Sequence, residues 1–354
     1  MSKTKIEWAE RVWNPVRGCS RVSEGCRNCY AERLAARFSR PLVQDQTGEY
    51  AGGDPFAGFA RMTREGPRWT GRVELIPEKL AEPLRWRKPC RVFVNSMSDL
   101  FHEALPFEAI ALIFGVMAAS PWHTFQVLTK RPERMVQFFG WIESAATAHD
   151  DEPEYECLNL AHDAIGAKDL LKLLDSSKVQ HLWPLPNVWL GVSVEDQATA
   201  DERIPHLLAT PAAVRFVSAE PLIGPVDLRN WIDPHGCYRH SAIGDGSDLH
   251  SCDGCIPFID WVIVGGESGP GARPCDVAWI RAIVEQCKDA AVPCFVKQLG
   301  VNVTATAPRD WPEGTRFKRF EPDGCPHIMR VNLRNAKGGD PSEWPEDLRV
   351  RDWP

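Results

Sequence analysis

The chain has 354 residues and a net charge of −7, with 44% hydrophobic and 25% charged residues. These proportions are those of a soluble globular protein of one large domain or two ordinary ones. They exclude a disordered chain and a globally basic nucleic-acid binder. No apolar run approaches membrane-spanning length, and Met1-Ser-Lys-Thr-Lys-Ile-Glu-Trp8 holds no apolar signal region. The twelve cysteines are therefore expected in a reducing cytoplasm, where clustered thiols read as metal or redox sites.

A first strand is expected over residues 8–16, and it leads into the stretch that says most about chemistry. Cys19, Cys26 and Cys29 are spaced C-x6-C-x2-C within eleven residues, too close together for scattered core positions. Gly18 and Gly25 let the intervening loop fold back so that three sulfurs can converge. A helix pattern follows, with Tyr30, Leu34, Ala35 and Phe38 on its apolar face. Its N-terminal dipole would favour the metal-binding thiolate form. Three protein ligands leave one coordination position open, as a catalytic metal or an iron–sulfur cluster requires. A structural zinc with a distant fourth ligand is the competing reading of the same residues.

Residues 44–71, rich in Gly, Pro and Arg, read as a long loop over one end of the fold. From residue 91 strand-like and helix-like segments alternate. Strands are expected at 91–96, 124–129, 187–193, 214–218, 260–265 and 293–297, with helices at 107–119, 132–142, 197–208 and 277–290. Continuous apolar strands separated by amphipathic helices predict an α/β fold built on a parallel sheet. About seven strands fit a partial or full (β/α) barrel over residues 1–300. An acidic-then-helical segment (144–177) and a Cys/His-rich insert (230–257) interrupt the rhythm, and a Pro- and Trp-rich tail (301–354) is expected to wrap the barrel.

In such a barrel function collects at the C-terminal ends of the strands. Here six strands in succession break into polar residues at that point. They supply Ser96, Ser98 and Asp99, then Thr129 and Lys130, then Ser193 and Glu195. Glu220, then Gly265, Gly266 and Glu267, and finally Lys297 follow. Some of these cap helices, but as a set they predict a polar rim around one ligand. Lys130 suits a carboxylate or phosphate, and Glu220 an ammonium or hydroxyl group. These two are the candidate catalytic residues. A metal-dependent hydrolase would need His/Asp clusters at these ends, and there are none.

Within the insert, His235-x-Cys237-x2-His240 and His250-x-Cys252-x2-Cys255 contain the tight knuckle spacing of a zinc half-site. Cys252 and Cys255, completed by Cys237 and one histidine, form a candidate zinc site that would supply folding energy to a polar loop.

The stretch Trp13-Asn-Pro through Cys29-Tyr-Ala resembles the phage-associated three-cysteine-motif family. So do Asn95-Ser-Met-Ser-Asp99, Leu128-Thr-Lys-Arg-Pro132, Gly191-Val-Ser-Val-Glu195, Ser218-Ala-Glu-Pro-Leu222 and Gly265-Gly-Glu-Ser268. The layout in turn is similar to radical S-adenosylmethionine enzymes of the spore photoproduct lyase type. The resemblance implies that Cys19, Cys26 and Cys29 ligate a 4Fe-4S cluster whose fourth iron holds S-adenosylmethionine, and that an electron donor drives reductive cleavage to a 5′-deoxyadenosyl radical. The rim residues would then bind the methionine and ribose moieties. Analogy, with the local clusters Arg61-Met-Thr-Arg64, Arg85-Trp-Arg-Lys88 and Arg316-Phe-Lys-Arg319, makes a nucleic acid or nucleotide the expected substrate. The rival reading is a zinc-containing nucleic-acid-binding phage protein without catalysis.

Overall fold

The computed structural model describes residue 4 and residues 6–44, 50–51, 53–166, 182–232, 257–306, 310–320 and 328–354. Its centre is one sheet of seven parallel strands, β1 (Arg11–Trp13), β2 (Arg91–Val94), β3 (Thr124–Thr129), β4 (Val188–Ser193), β5 (Val214–Ala219), β6 (Trp261–Gly265) and β7 (Cys294–Gln298). Each strand pairs with the next in sequence order, and the sheet curls into a half-barrel. The first strand is shorter than expected. Past Trp13 the chain leaves the sheet, and Val16–Arg17 pairs antiparallel with Glu74–Leu75.

The strands alternate between two apolar environments, as period-two side chains must. Val92 and Val94, Val127, Leu190 and Val192, Val217, Val262 and Val264 face the main core. There they meet α2 (Phe107–Ala118), α3 (Pro132–Ala148), α4 (Pro153–Ile165), α5 (Gln197–Leu208) and α6 (Val277–Asp289). The α3 helix runs six residues beyond the 132–142 expected, because Ala145, Ala146 and Ala148 continue it. The opposite register, Phe93, Phe216, Trp261, Ile263 and Phe295, forms a separate cluster around Trp8. The Trp8 ring lies 4.6 Å from Phe93 on β2, 6.4 Å from Phe216 on β5 and 6.4 Å from Trp261 on β6. One side chain spans non-adjacent strands only because the sheet is curved around it.

After β7 the strands Val303–Ala305, Arg316–Arg319 and Met329–Asn332 form a second sheet with Cys275–Asp276. The last residues return to β7, where the Val296 amide donates to the Val350 carbonyl and Trp353 stacks on Trp261. The insert with Cys237, Cys252 and Cys255, and part of the 144–177 segment, lie outside the described residues. No helix among the described residues is long and apolar enough to cross a membrane.

Candidate functional site

Above the Trp8 cluster, at the carboxyl ends of β2 to β7, is a cavity of about 280 Å³. One wall is the cysteine loop, with Cys19, Cys26 and Cys29 all lining it. The other walls are the strand ends. Ser96, Ser98 and Asp99 come from β2, Thr129 and Lys130 from β3, and Ser193 from β4. Glu220, Gly266 and Glu267, and Lys297 complete the ring. Gly265 and Glu195 do not line it. Glu195 is buried beneath, 1% exposed, where it accepts from Lys130 and from Arg203 at 3.1 Å.

The rim carboxylates pair with the protein's own cations. Asp99 accepts from the Thr129 hydroxyl at 2.7 Å, the Lys130 amide at 3.0 Å and Arg131 at 3.2 Å. Glu220 pairs with Lys297 at 3.1 Å and accepts from the Ser218 hydroxyl at 3.3 Å. Glu267 accepts from the Arg273 guanidinium at 2.8 and 3.0 Å, from the Arg273 amide at 2.8 Å and from Asn28 at 3.0 Å. Burial would raise the Glu267 carboxyl, but the Arg273 and Asn28 hydrogen bonds outweigh it and hold it below the ordinary 4.5. Ser96 and Ser98 donate to Asn14 and to the Val16 carbonyl, so both stitch β2 to the approach to the cysteine loop. Lys130 donates to Ser193 at 2.5 Å as well as to Glu195. With Arg203 also on Glu195, two cations share one carboxylate, which leaves excess positive charge beside the cavity.

The cysteine loop is gripped from three sides. Arg131, 5% exposed, donates to the Ser20 carbonyl at 3.0 Å and hydroxyl at 2.8 Å, and lies 3.9 Å from the Cys19 sulfur. His102 Nδ1 accepts from the Ala104 amide at 3.1 Å, so the neutral ring carries its proton on Nε2 and donates to Ser20 at 2.8 Å. Burial, reinforced by Arg131, holds this imidazole below its ordinary value. On the far side Arg273 donates to the Glu24 carbonyl at 2.9 Å, and Glu267 holds Asn28. In the middle Gly25 rests on Glu195, and a Cβ there would stand 2.2 Å from its carboxylate. Gly266 has a similar duty toward β7, since its Cβ would meet the Leu299 carbonyl at 2.2 Å. The space gained at Gly266 is thus used by the protein's own backbone.

None of the three thiols is in a disulfide. Burial, helped by Asp99 and opposed by Arg131, pushes the Cys19 thiol up to about 12. Burial also raises Cys29, although the amides of Glu32 and Ala31 at the helix start favour its thiolate. Thiol chemistry and a common cavity wall fit an iron–sulfur cluster. The sulfurs are nevertheless not gathered, since no group of three His, Cys, Asp or Glu among the described residues is arranged to hold a metal ion. Any cluster held there would require the three sulfurs to be drawn together.

Asn95 and Arg131 are legible in the sequence only as members of the polar ends of their strands, and Asn28 and Arg273 are given no role there. Arg273 carries no local signal. Asn95 holds φ 61, with its Oδ1 on the Val16 amide at 3.4 Å and its buried Nδ2 without a partner. A strained backbone and an unmet donor at a cavity wall are marks of a ligand site.

A family model described as "Protein of unknown function (DUF5131)" matches residues 3–337. No curated protein and no solved structure matches.

Proposed function

We propose that this chain, which belongs to the DUF5131 family of proteins of unknown function, is an iron–sulfur enzyme of the radical S-adenosylmethionine kind acting on a nucleic acid or nucleotide. The observation that supports this reading is the meeting of three unpaired thiols and six polar strand ends in one cavity. Cys19, Cys26 and Cys29 would hold the cluster, which supplies one-electron reductive cleavage of the bound sulfonium when loaded. The protein's own residues have separate tasks. Lys130, backed by Glu195 and Arg203, offers positive charge to a carboxylate or phosphate. Glu220, fixed by Lys297 and Ser218, faces the cavity as an acceptor, and Asn95 brings an unspent donor. Trp8, Phe93 and Leu128 close the floor against water.

Anaerobic reconstitution tests the reading. About four iron and four sulfide per chain are expected, with visible absorbance that S-adenosylmethionine perturbs. Cys26→Ala or Cys29→Ala is expected to lose the iron and keep the fold, because the loop lies outside both strand-facing cores. Iron content equal to wild type in either variant, or tightly bound zinc in place of iron, would overturn the assignment.

A further inference from the structure

Helix α1 (Tyr30–Arg37) starts at Cys29 and is folded with its small residues inward. Ala31, Ala35 and Ala36 pack with Ala60, Met97 and Trp69, so the hairpin Ala60–Thr63/Gly66–Trp69 sits close against them. The larger apolar residues face out. Tyr30 is 56% exposed, Leu34 41% and Phe38 42%, one turn apart on one stripe. Leu42 and Val43 beyond the helix are 60% and 55% exposed, and Met62 on the hairpin is 66% exposed. Tyr30 also lines the cavity, so the stripe is continuous with the cysteine wall.

Charge sharpens the picture. Residues 11–72 hold eleven arginines, no lysine and six carboxylates, a net of +5 in a chain of net −7, which leaves −12 elsewhere. Arg37, Arg61 and Arg64 are exposed and form no ion pair among the described residues. An exposed apolar stripe rimmed by arginine without lysine is the composition of a protein interface. Of the six exposed apolar side chains only Tyr30 and Phe38 carry a ring, and Leu34, Leu42, Val43 and Met62 offer aliphatic surface on which no base stacks, so most of the stripe suits a protein contact better than a single-stranded nucleic acid.

We propose that the outer face of α1 and the adjoining hairpin dock a small acidic electron-transfer protein, which delivers an electron to the site. This rests on the iron–sulfur reading above. In the step, the donor is oxidised by one electron and the cluster at Cys19, Cys26 and Cys29 is reduced by one. Charge complementarity steers the encounter, and the apolar stripe sets the contact over the cysteine loop.

The test uses a bacterial flavodoxin as probe and the variants Leu34→Ser/Phe38→Ser and Arg61→Glu/Arg64→Glu of the full chain. Wild type is expected to bind flavodoxin more weakly as salt rises, with each double variant at least tenfold weaker. Cluster bleaching by reduced flavodoxin should slow by the same factor, while bleaching by dithionite, which needs no docking, stays unchanged. Equal flavodoxin rates in all three proteins, or no flavodoxin binding by wild type, overturn the docking surface. So does loss in the variants of oligothymidylate binding or of self-association instead. A wild-type chain that takes up no iron overturns the site reading itself, and normal iron uptake with unaltered rates overturns the docking alone.

Discussion

Glu267 illustrates how a residue's task changes once its neighbours are known. From sequence it reads as an acceptor for a cofactor ammonium. In the fold its oxygens are taken by Arg273 and Asn28, and through them it fastens the segment between Cys26 and Cys29 to the end of β6. Glu267→Ala is therefore expected to cost about 2–3 kcal/mol, since a charged hydrogen-bond network loses its centre and Arg273 is left partly buried. It should also impair iron uptake, which loss of a pure cofactor contact would not do. Glu267→Gln keeps the Asn28 contact and should lie between the two. The pH dependence has a definite sign. The carboxyl is held below its ordinary 4.5, so its stabilisation is complete above about pH 4.5 and is lost as pH falls through the lower folded value. Urea denaturation of wild type and Glu267→Ala should converge in acid and diverge toward neutrality. A constant gap from pH 3 to pH 7 would mean that the ion pair contributes nothing.

At the scale of elements, α1 is where pattern and fold diverge. Its amphipathic period places Tyr30, Leu34, Ala35 and Phe38 on one face, yet in the fold Ala35 is buried with Ala31 and Ala36 while Tyr30, Leu34 and Phe38 are turned outward. The reason is steric. The hairpin packs against the alanine face, and the buried Glu32 is neutralised by Arg21 and accepts a hydrogen bond from the Trp69 amide. Periodicity located the helix correctly and could not say which side a neighbour from residues 60–69 would claim. Stability measurements should invert the naive expectation. Ala35→Leu is expected to cost about 1–3 kcal/mol by overpacking, whereas Leu34→Ala and Phe38→Ala should stay within about 0.5 kcal/mol of wild type. A large loss on Leu34→Ala would return that residue to the core. The barrel strands were more legible, because a strand buried on both faces is uniformly apolar and its polar end marks where the cavity begins. The clamps around the cysteine loop were not, since Arg131 reaches back 111 residues to Ser20 and Asn28 reaches forward 239 to Glu267.

For the whole molecule, the half-barrel depends on what fills its concave side. The open sheet has no strand joining β7 back to β1 among the described residues, so curvature has to be held by side chains. Trp8, 2% exposed, is the residue that touches β2, β5 and β6 at once, and it also forms part of the cavity floor. Trp8→Ala is expected to cost about 3–5 kcal/mol, the range for deleting a large buried aromatic. The loss should fall unevenly. The helices and the Val- and Leu-rich outer core do not contact Trp8, so far-ultraviolet circular dichroism should stay near wild type at low denaturant. The floor, however, loses the ring that keeps opposite strands apart, and the strand ends that carry Lys130, Glu220 and Lys297 lose their fixed spacing. Urea unfolding followed by tryptophan fluorescence should shift to lower midpoint. Hydrogen exchange should rise first at the β2, β5 and β6 amides rather than in α2 or α3. If exchange rose uniformly across the helices, or the midpoint did not move, the curvature would be set by strand twist and the outer helices alone, and the cavity would survive without its aromatic floor.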